Sequence, residues 1–207
     1  QDLTAFDAED APVAVGAAGA LLAYATETQP ASLAHVTTLR VDRPGTHVAL
    51  DAATRRNLEI TRPLAGEPQP TLLSMLDACV TAAGSRLLRE WLLSPLRALA
   101  AASARHDAVQ AFVERPSLRE RLRETLGPIA DVERIAARIA LATVRPRELA
   151  ALRDTLLALP GLRGVVAGAP ARLLAAAGAA RDVDRRWADL LSRTLAPEPS
   201  AQVRDGG

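Results

Sequence analysis

The chain has 207 residues, nearly half of them apolar (49%), enough for one large domain or one domain plus a fragment, and it reads as globular rather than disordered. Its 25 basic residues, all arginine, face 24 acidic ones for a net charge of +1, so no strong long-range field draws nucleic acid towards it. The lack of lysine excludes a Walker A loop, a kinase phosphate contact and a Schiff-base site from this chain, and the single cysteine excludes an internal disulfide.

In chain order, Asp10 and Pro12 mark a helix start, and the small residues up to Tyr24 would let that helix lie close to a neighbour. The run from Ala11 to Ala25 is shorter than the ~18 residues a membrane span needs and lacks the basic flank of a signal peptide, so a cytoplasmic protein is expected. The β-branched stretches His35 to Val41 and Thr46 to Leu50, separated by Asp42-Arg43-Pro44-Gly45, predict a hairpin. From Asp51 onward the apolar patterns are helical. Asp51 caps a short helix through Leu58, Thr71 a second after a proline-rich connection, and Thr81 a third.

That third helix is the most legible. Gly84, Leu87, Leu88, Trp91 and Leu92 share one face, Arg86, Arg89 and Glu90 lie opposite, and Pro95 ends it. Trp91 and Leu88 are expected to be core anchors, and Gly84 to admit a neighbouring backbone. The next helix, from Ala98 to Glu114, should turn Ala101, Ala108, Val109 and Phe112 inward. Ser117 and Glu120 form a capping-box pattern before the stripe Leu118, Leu122 and Leu126, closed by Gly127-Pro128. Asp131 caps a helix with Val132, Ile135 and Ile139 inward, and Pro146 opens one carrying Leu149, Leu152, Leu156 and Leu159. The run from Gly161 to Gly178 has no assignable pattern. Asp182 caps a last helix presenting Val183, Trp187, Leu190 and Leu191.

Signatures of chemistry are few. Cys79 reads as a small core residue in a reducing compartment, without a His or cationic cluster to activate it. His35 and His47 lack metal-ligand spacing, and His106-Asp107 reads as a solvated helix face. Arg55-Arg56, Arg185-Arg186 and the run SLRERLRE could touch phosphates, but Glu59, Asp184 and Glu120 lie within a turn, so solvated, ion-paired faces are expected.

Several collinear blocks carry a family resemblance: ALDAATRRNLEIT and MLDACVTAAGSRLLREWLLSPL between Ala49 and Leu96, RHDAV (Arg105 to Val109), DVERIAARIAL (Asp131 to Leu141) and RPRELAALR (Arg145 to Arg153). Together they resemble the start of the core domain of MutS-type DNA mismatch-repair proteins, and Ala17 to Gln29 resembles the end of that family's connector domain. The positions matching the family's motifs are Asp51, Thr54, Asn57, Leu58 and Glu59; Leu76, Asp77, Thr81, Gly84, Arg86, Leu87, Leu88, Trp91, Leu92 and Pro95; Arg105, Asp107, Ala108 and Val109; and Asp131, Glu133 and Arg134. Ala82-Ala83 stands where many members have Met or Pro before the glycine. Phe112-Val113-Glu114 spells the family's mismatch-probing Phe-x-Glu, but that motif belongs upstream of the connector, and Phe112 sits in a helical apolar stripe.

The resemblance implies a mainly α fold: a helical core, or lever, domain over 51–207, cut before the clamp, and an α/β remnant of the connector over 1–50. It further implies a segment of a longer protein, with no catalytic, cofactor-binding or metal residues of its own. The full-length protein would be a bacterial, cytoplasmic, homodimeric ATPase that binds mismatched double-stranded DNA and MutL, with ATP and Mg in a separate ATPase domain. This segment would join the two ends and transmit conformational state. The alternative is a helical scaffold segment of a MutS-related protein that acts in recombination.

Overall fold

A computed structural model of the chain describes residues 8, 10–28, 33, 36, 41, 45–64, 70–167, 171–179 and 183–200. Among them ten helices follow in order: α1 (Pro12–Thr28), α2 (Ala52–Asn57), α3 (Leu72–Leu76), α4 (Ala82–Leu93), α5 (Leu99–Glu114), α6 (Pro116–Leu126), α7 (Val132–Ala140), α8 (Pro146–Ala167), α9 (Arg172–Gly178) and α10 (Arg186–Thr194). The fold is mainly α, as expected, and the only β pairing among the described residues is an isolated antiparallel bridge between His47 and Leu96.

That bridge corrects the hairpin. Of its first arm only Val36 and Val41 are described; the rest of that arm lies outside the described residues, as do Asp42, Arg43 and Pro44. The second arm does not form a strand; Thr46 to Val48 instead lie against the segment that follows α4. The Val48 N–H donates to the Pro95 carbonyl at 2.8 Å and the Arg97 N–H to the Thr46 carbonyl at 3.1 Å.

Local capping sets the helix starts. Asp51, Thr71, Thr81 and Asp131 each accept a hydrogen bond from the backbone N–H three residues on, satisfying a donor that has no partner within its helix. Ser117 does not cap α6. Pro116 occupies the first turn, where its missing N–H costs nothing, and the helix begins there without a side-chain cap. The unassigned run resolves into the end of α8, which continues through Pro160 to Ala167, and into α9. Asp182 lies outside the described residues; α10 begins after Arg185, with Asp184 accepting from the Arg186 N–H at 2.9 Å.

Helix α8 is the centre of the bundle and packs against α6, α7, α9 and α10, while α5 packs on α6 and α9. The contact surfaces are made largely of alanine: Ala108, Ala111 and Ala171 form a buried cluster with Leu174 against it, and Ala150 and Ala188 are buried elsewhere. Of the residues expected inward, Val109 is 60% exposed, and Ala101, Val132 and Ile139 also face water, whereas Ala108 and Ile135 are buried as expected. An alanine interface brings backbones close, but each residue removes little apolar area from water. At Gly178 that approach reaches its limit, where an added Cβ would stand 3.1 Å from the Ala167 backbone. Along α1 no described residue is buried, and Gly16 and Gly19 face open space rather than a neighbour. No helix among the described residues is long and apolar enough to cross a membrane.

Candidate functional site

The motif positions run from the start of α2 to the first turn of α7. At the upstream side, Asp51 Oδ1 accepts from the Thr54 N–H at 2.6 Å and holds the first turn of α2. Asn57 is exposed at its end, and Leu58 is its C-terminal cap, also exposed. Glu59 then adopts φ +46°, a left-handed conformation uncommon for a residue with a Cβ, and its Oε1 accepts from the Leu64 N–H at 2.6 Å. This reversal buries Ile60 and presents the Glu59 and Ile60 carbonyls to the N–H groups of Leu72 and Leu73, at 3.0 and 2.9 Å. The start of α3 is thus seated on the turn after α2.

Asp77 ends α3 and organises the connection to α4: its Oδ1 accepts from the Cys79 N–H at 3.1 Å and the Ser85 hydroxyl at 3.0 Å. Those bonds, the backbone one first, hold its carboxyl below the usual range. Thr81 Oγ1 accepts from the Gly84 N–H at 3.1 Å. A Cβ on Gly84 would meet Thr81 Oγ1 at 3.0 Å and Cys79 Cβ at 3.4 Å, so the close neighbour is the turn before α4, not another helix. Cys79 is exposed, not a core residue, because this turn runs along the outside of the helix start. Partial desolvation and then Asp77 push its thiol up, which favours the protonated, unreactive form.

At the end of α3 Leu76 is exposed; along α4 Leu87 is exposed while Leu88, Trp91 and Leu92 are half-buried, as is Pro95 just beyond it. Trp91 and Leu88 are therefore not fully enclosed anchors. Trp91 is covered by an arginine, with the Arg105 guanidinium 3.6 Å from its ring centroid. Ala108 of the same RHDAV block is buried in the alanine cluster, whereas Asp107 and Val109 face water.

The longest-range tie comes from Arg86. Its Nη1 donates to Asp131 Oδ2 at 2.6 Å, and its Nη2 to Asp131 Oδ1 at 2.8 Å and Glu133 Oε2 at 2.6 Å. Asp131 simultaneously accepts from the Arg134 N–H at 3.3 Å, so one carboxylate both caps α7 and receives α4. The Arg86 hydrogen bond is the main reason its carboxyl lies below the ordinary range, and the same contacts, Asp131 first, raise the Arg86 guanidinium still further above neutrality. Four residues of the motif set, Arg86, Asp131, Glu133 and Arg134, are thus brought together across 45 residues of sequence.

Sequence reasoning missed the partners of this network. Arg123 of α6 donates to the Ala78 carbonyl at 2.8 Å, Arg138 of α7 pairs with Glu148 of α8, and Thr155 Oγ1 accepts from the Ala130 N–H at 2.9 Å. Arg153 reaches the carbonyls of Ala196 and Pro197, both at 3.3 Å. Their periodicity shows only polar residues on helices; nothing in spacing identifies which backbone each one reaches. Of the basic pairs, Arg186 meets Asp184 at 3.0 Å, the solvated ion pairing expected of it.

Chemically, the arrangement consists of caps, forks and carbonyl contacts. Among the described residues no group of three or more His, Cys, Asp or Glu could hold a metal ion, and no buried polar side-chain atom lacks a partner. A family model described as MutS domain III matches residues 53–207. The chain therefore belongs to the MutS family of DNA mismatch-repair proteins, and most of its length is that family's domain III.

Proposed function

We propose that the chain is the structural and signal-transmitting core segment of a DNA mismatch-recognition ATPase, linking mismatch binding to ATP binding and hydrolysis in the full-length protein. Residues 1–50 would be the end of the connector domain, and 51–207 the first part of the core. Nucleotide and Mg belong to a separate ATPase domain in this reading. The residues here do not fit a triphosphate, since the chain has no lysine and no phosphate-cradling glycine loop. Mismatched duplex DNA, MutL and a second copy of the full-length protein would be the partners, in the cytoplasm of a bacterium.

The observation that carries this reading is the Arg86 fork. A signal crosses a protein through elements that move as units and through the contacts that join them. Here α5 to α10 pack around α8, and Arg86 fastens the upstream α4 to that set through the first turn of α7. In the intact protein, Arg86→Gln should leave mismatch affinity and DNA-free nucleotide turnover near their original values while weakening the dependence of nucleotide exchange on a mismatch. Unchanged mismatch dependence would remove the support for transmission through this segment.

A further inference from the structure

Helix α4 packs against α3, whereas the later helices pack on one another around α8. Between the two sets runs a short non-helical linker. Ser94 has φ −137° and ψ 67°, and Ala98 has φ −73° and ψ 111°. The linker is gripped from upstream, with the Val48 N–H on the Pro95 carbonyl at 2.8 Å, the Arg97 N–H on the Thr46 carbonyl at 3.1 Å, and His47 opposite Leu96. Gly45, at φ +96°, turns the chain into this clasp with a conformation that side chains rarely adopt.

The side-chain hydrogen bonds that span the linker among the described residues are partly wet. The Arg86 side chain is 47% exposed and its partners Asp131 and Glu133 are 20% and 78% exposed. Arg123 adds a hydrogen bond to the Ala78 carbonyl. Arg105 of α5 also stacks on Trp91 of α4. Burying apolar surface resists separation wherever it occurs, but an exposed ion pair opens with water replacing each partner. These polar ties can exchange with water, and the directional fork defines the closed position.

We propose that residues 94–98 are a hinge between α2–α4 and α5–α10, that the 46–48 clasp is the upstream chain's grip on it, and that Arg86 is the latch closing it against α7. This rests on the transmitting role above and places its moving joint. It makes the segment a switch with two arrangements rather than a stiff rod, and it gives the connector side a direct hold on the hinge.

The test uses the 207-residue chain with Cys79→Ala and paired spin labels at Arg89→Cys on α4 and Ala136→Cys on α7, both exposed positions. A single narrow distance distribution is expected for the latched protein. Arg86→Gln and Asp131→Asn should each broaden it or shift it to longer distance. Arg86→Lys, which keeps the charge but loses the fork, should be intermediate, and Arg119→Gln should change nothing. Val48→Pro, which removes the donor to Pro95, should also broaden it. Distributions unchanged in Arg86→Gln and Asp131→Asn would overturn the latch, showing that packing fixes α4. Loss of cooperative unfolding in Arg86→Gln, Asp131→Asn and Arg86→Lys alike would overturn it too, making the fork a structural strut. An unchanged Val48→Pro distribution would overturn the grip. Since neither DNA nor nucleotide is present, failure here leaves mismatch coupling standing, and failure of that coupling leaves these distances interpretable.

Discussion

The guanidinium of Arg105 lies 3.6 Å from the centroid of the Trp91 ring, so the largest side chain of α4, itself half-buried, is roofed on one face by a cation from α5. Such a contact at a partly exposed site is worth about 0.5–1 kcal/mol. Arg105→Ala is expected to lower stability by about that amount, and Trp91→Leu by more, since apolar contact is lost as well. In a double-mutant cycle the two changes should fall short of additive by roughly 0.5–1 kcal/mol. Strict additivity in chemical denaturation would show that the stacking contributes nothing.

Acid should loosen the molecule through the same carboxylates that cap and join its helices. Asp131 is held below its ordinary value of 3.8, mainly by Arg86; Asp77, Asp51 and Glu148 are also lowered, first by backbone N–H groups of Cys79, Thr54 and Arg145. A carboxyl depressed in the folded state stabilises fully above its unfolded value, and that contribution is lost as pH falls through the unfolded value towards the folded one. Stability should therefore be flat near neutrality and decline below about pH 5. Asp131→Asn should reduce the slope of that decline. Thermal midpoints measured between neutral and acid pH, with identical slopes for the two proteins, would contradict the assignment to Asp131.

Two glycines should respond differently to the same substitution. At Gly178 a Cβ meets Ala167 Cα and N at 3.1 Å, backbone atoms that can yield only by moving α8 and α9 apart. At Gly84 the nearest atom is a threonine hydroxyl, 3.0 Å away, which can rotate at the expense of its cap. Losing that cap costs about 1 kcal/mol, and the helix gains about 1 kcal/mol when Ala replaces Gly, so Gly84→Ala should be nearly neutral. Gly178→Ala should cost about 1–3 kcal/mol, the range for overpacking. Equal effects in urea unfolding would mean that α9 can shift freely on α8.

How much of this was legible in the sequence depended on the reach of each interaction. Asp51, Thr71, Thr81 and Asp131 cap backbone groups three residues away, so a local reading places them. Arg86 and Asp131 are 45 residues apart, and each alone looks like a charge on a solvated face. Apolar periodicity misplaces part of the inward face of α5, where alanine carries the packing. In α5 the stripe rule turns both Ala108 and Val109 inward; Ala108 is buried as expected, but Val109 faces water and Ala111 takes its place, because close helix approach leaves room only for a methyl group. Leu58 belongs to the motif and is exposed, while nearby Ile60, 2% exposed, is buried by a reversal at Glu59 that no pattern signals. The family blocks brought the right residues together on paper; their contacts became visible only with the helices in place.

Thr155 offers the sharpest separation of polar from apolar contributions in the bundle. It is 1% exposed within α8, and its hydroxyl accepts from the Ala130 N–H at 2.9 Å, tying the residue before Asp131 to the central helix. Thr155→Val keeps the shape but leaves that N–H without an acceptor, a loss of about 1–3 kcal/mol. Thr155→Ser keeps the acceptor and removes one methyl group, which leaves a small void costing roughly 1 kcal/mol. Valine should therefore be the more damaging, although it is the closer match in volume. The Ala130 amide should also exchange with solvent faster in the valine variant than in the serine variant. If serine proves the worse substitution by equilibrium unfolding, methyl packing rather than the hydrogen bond fixes α7 to α8 at this point.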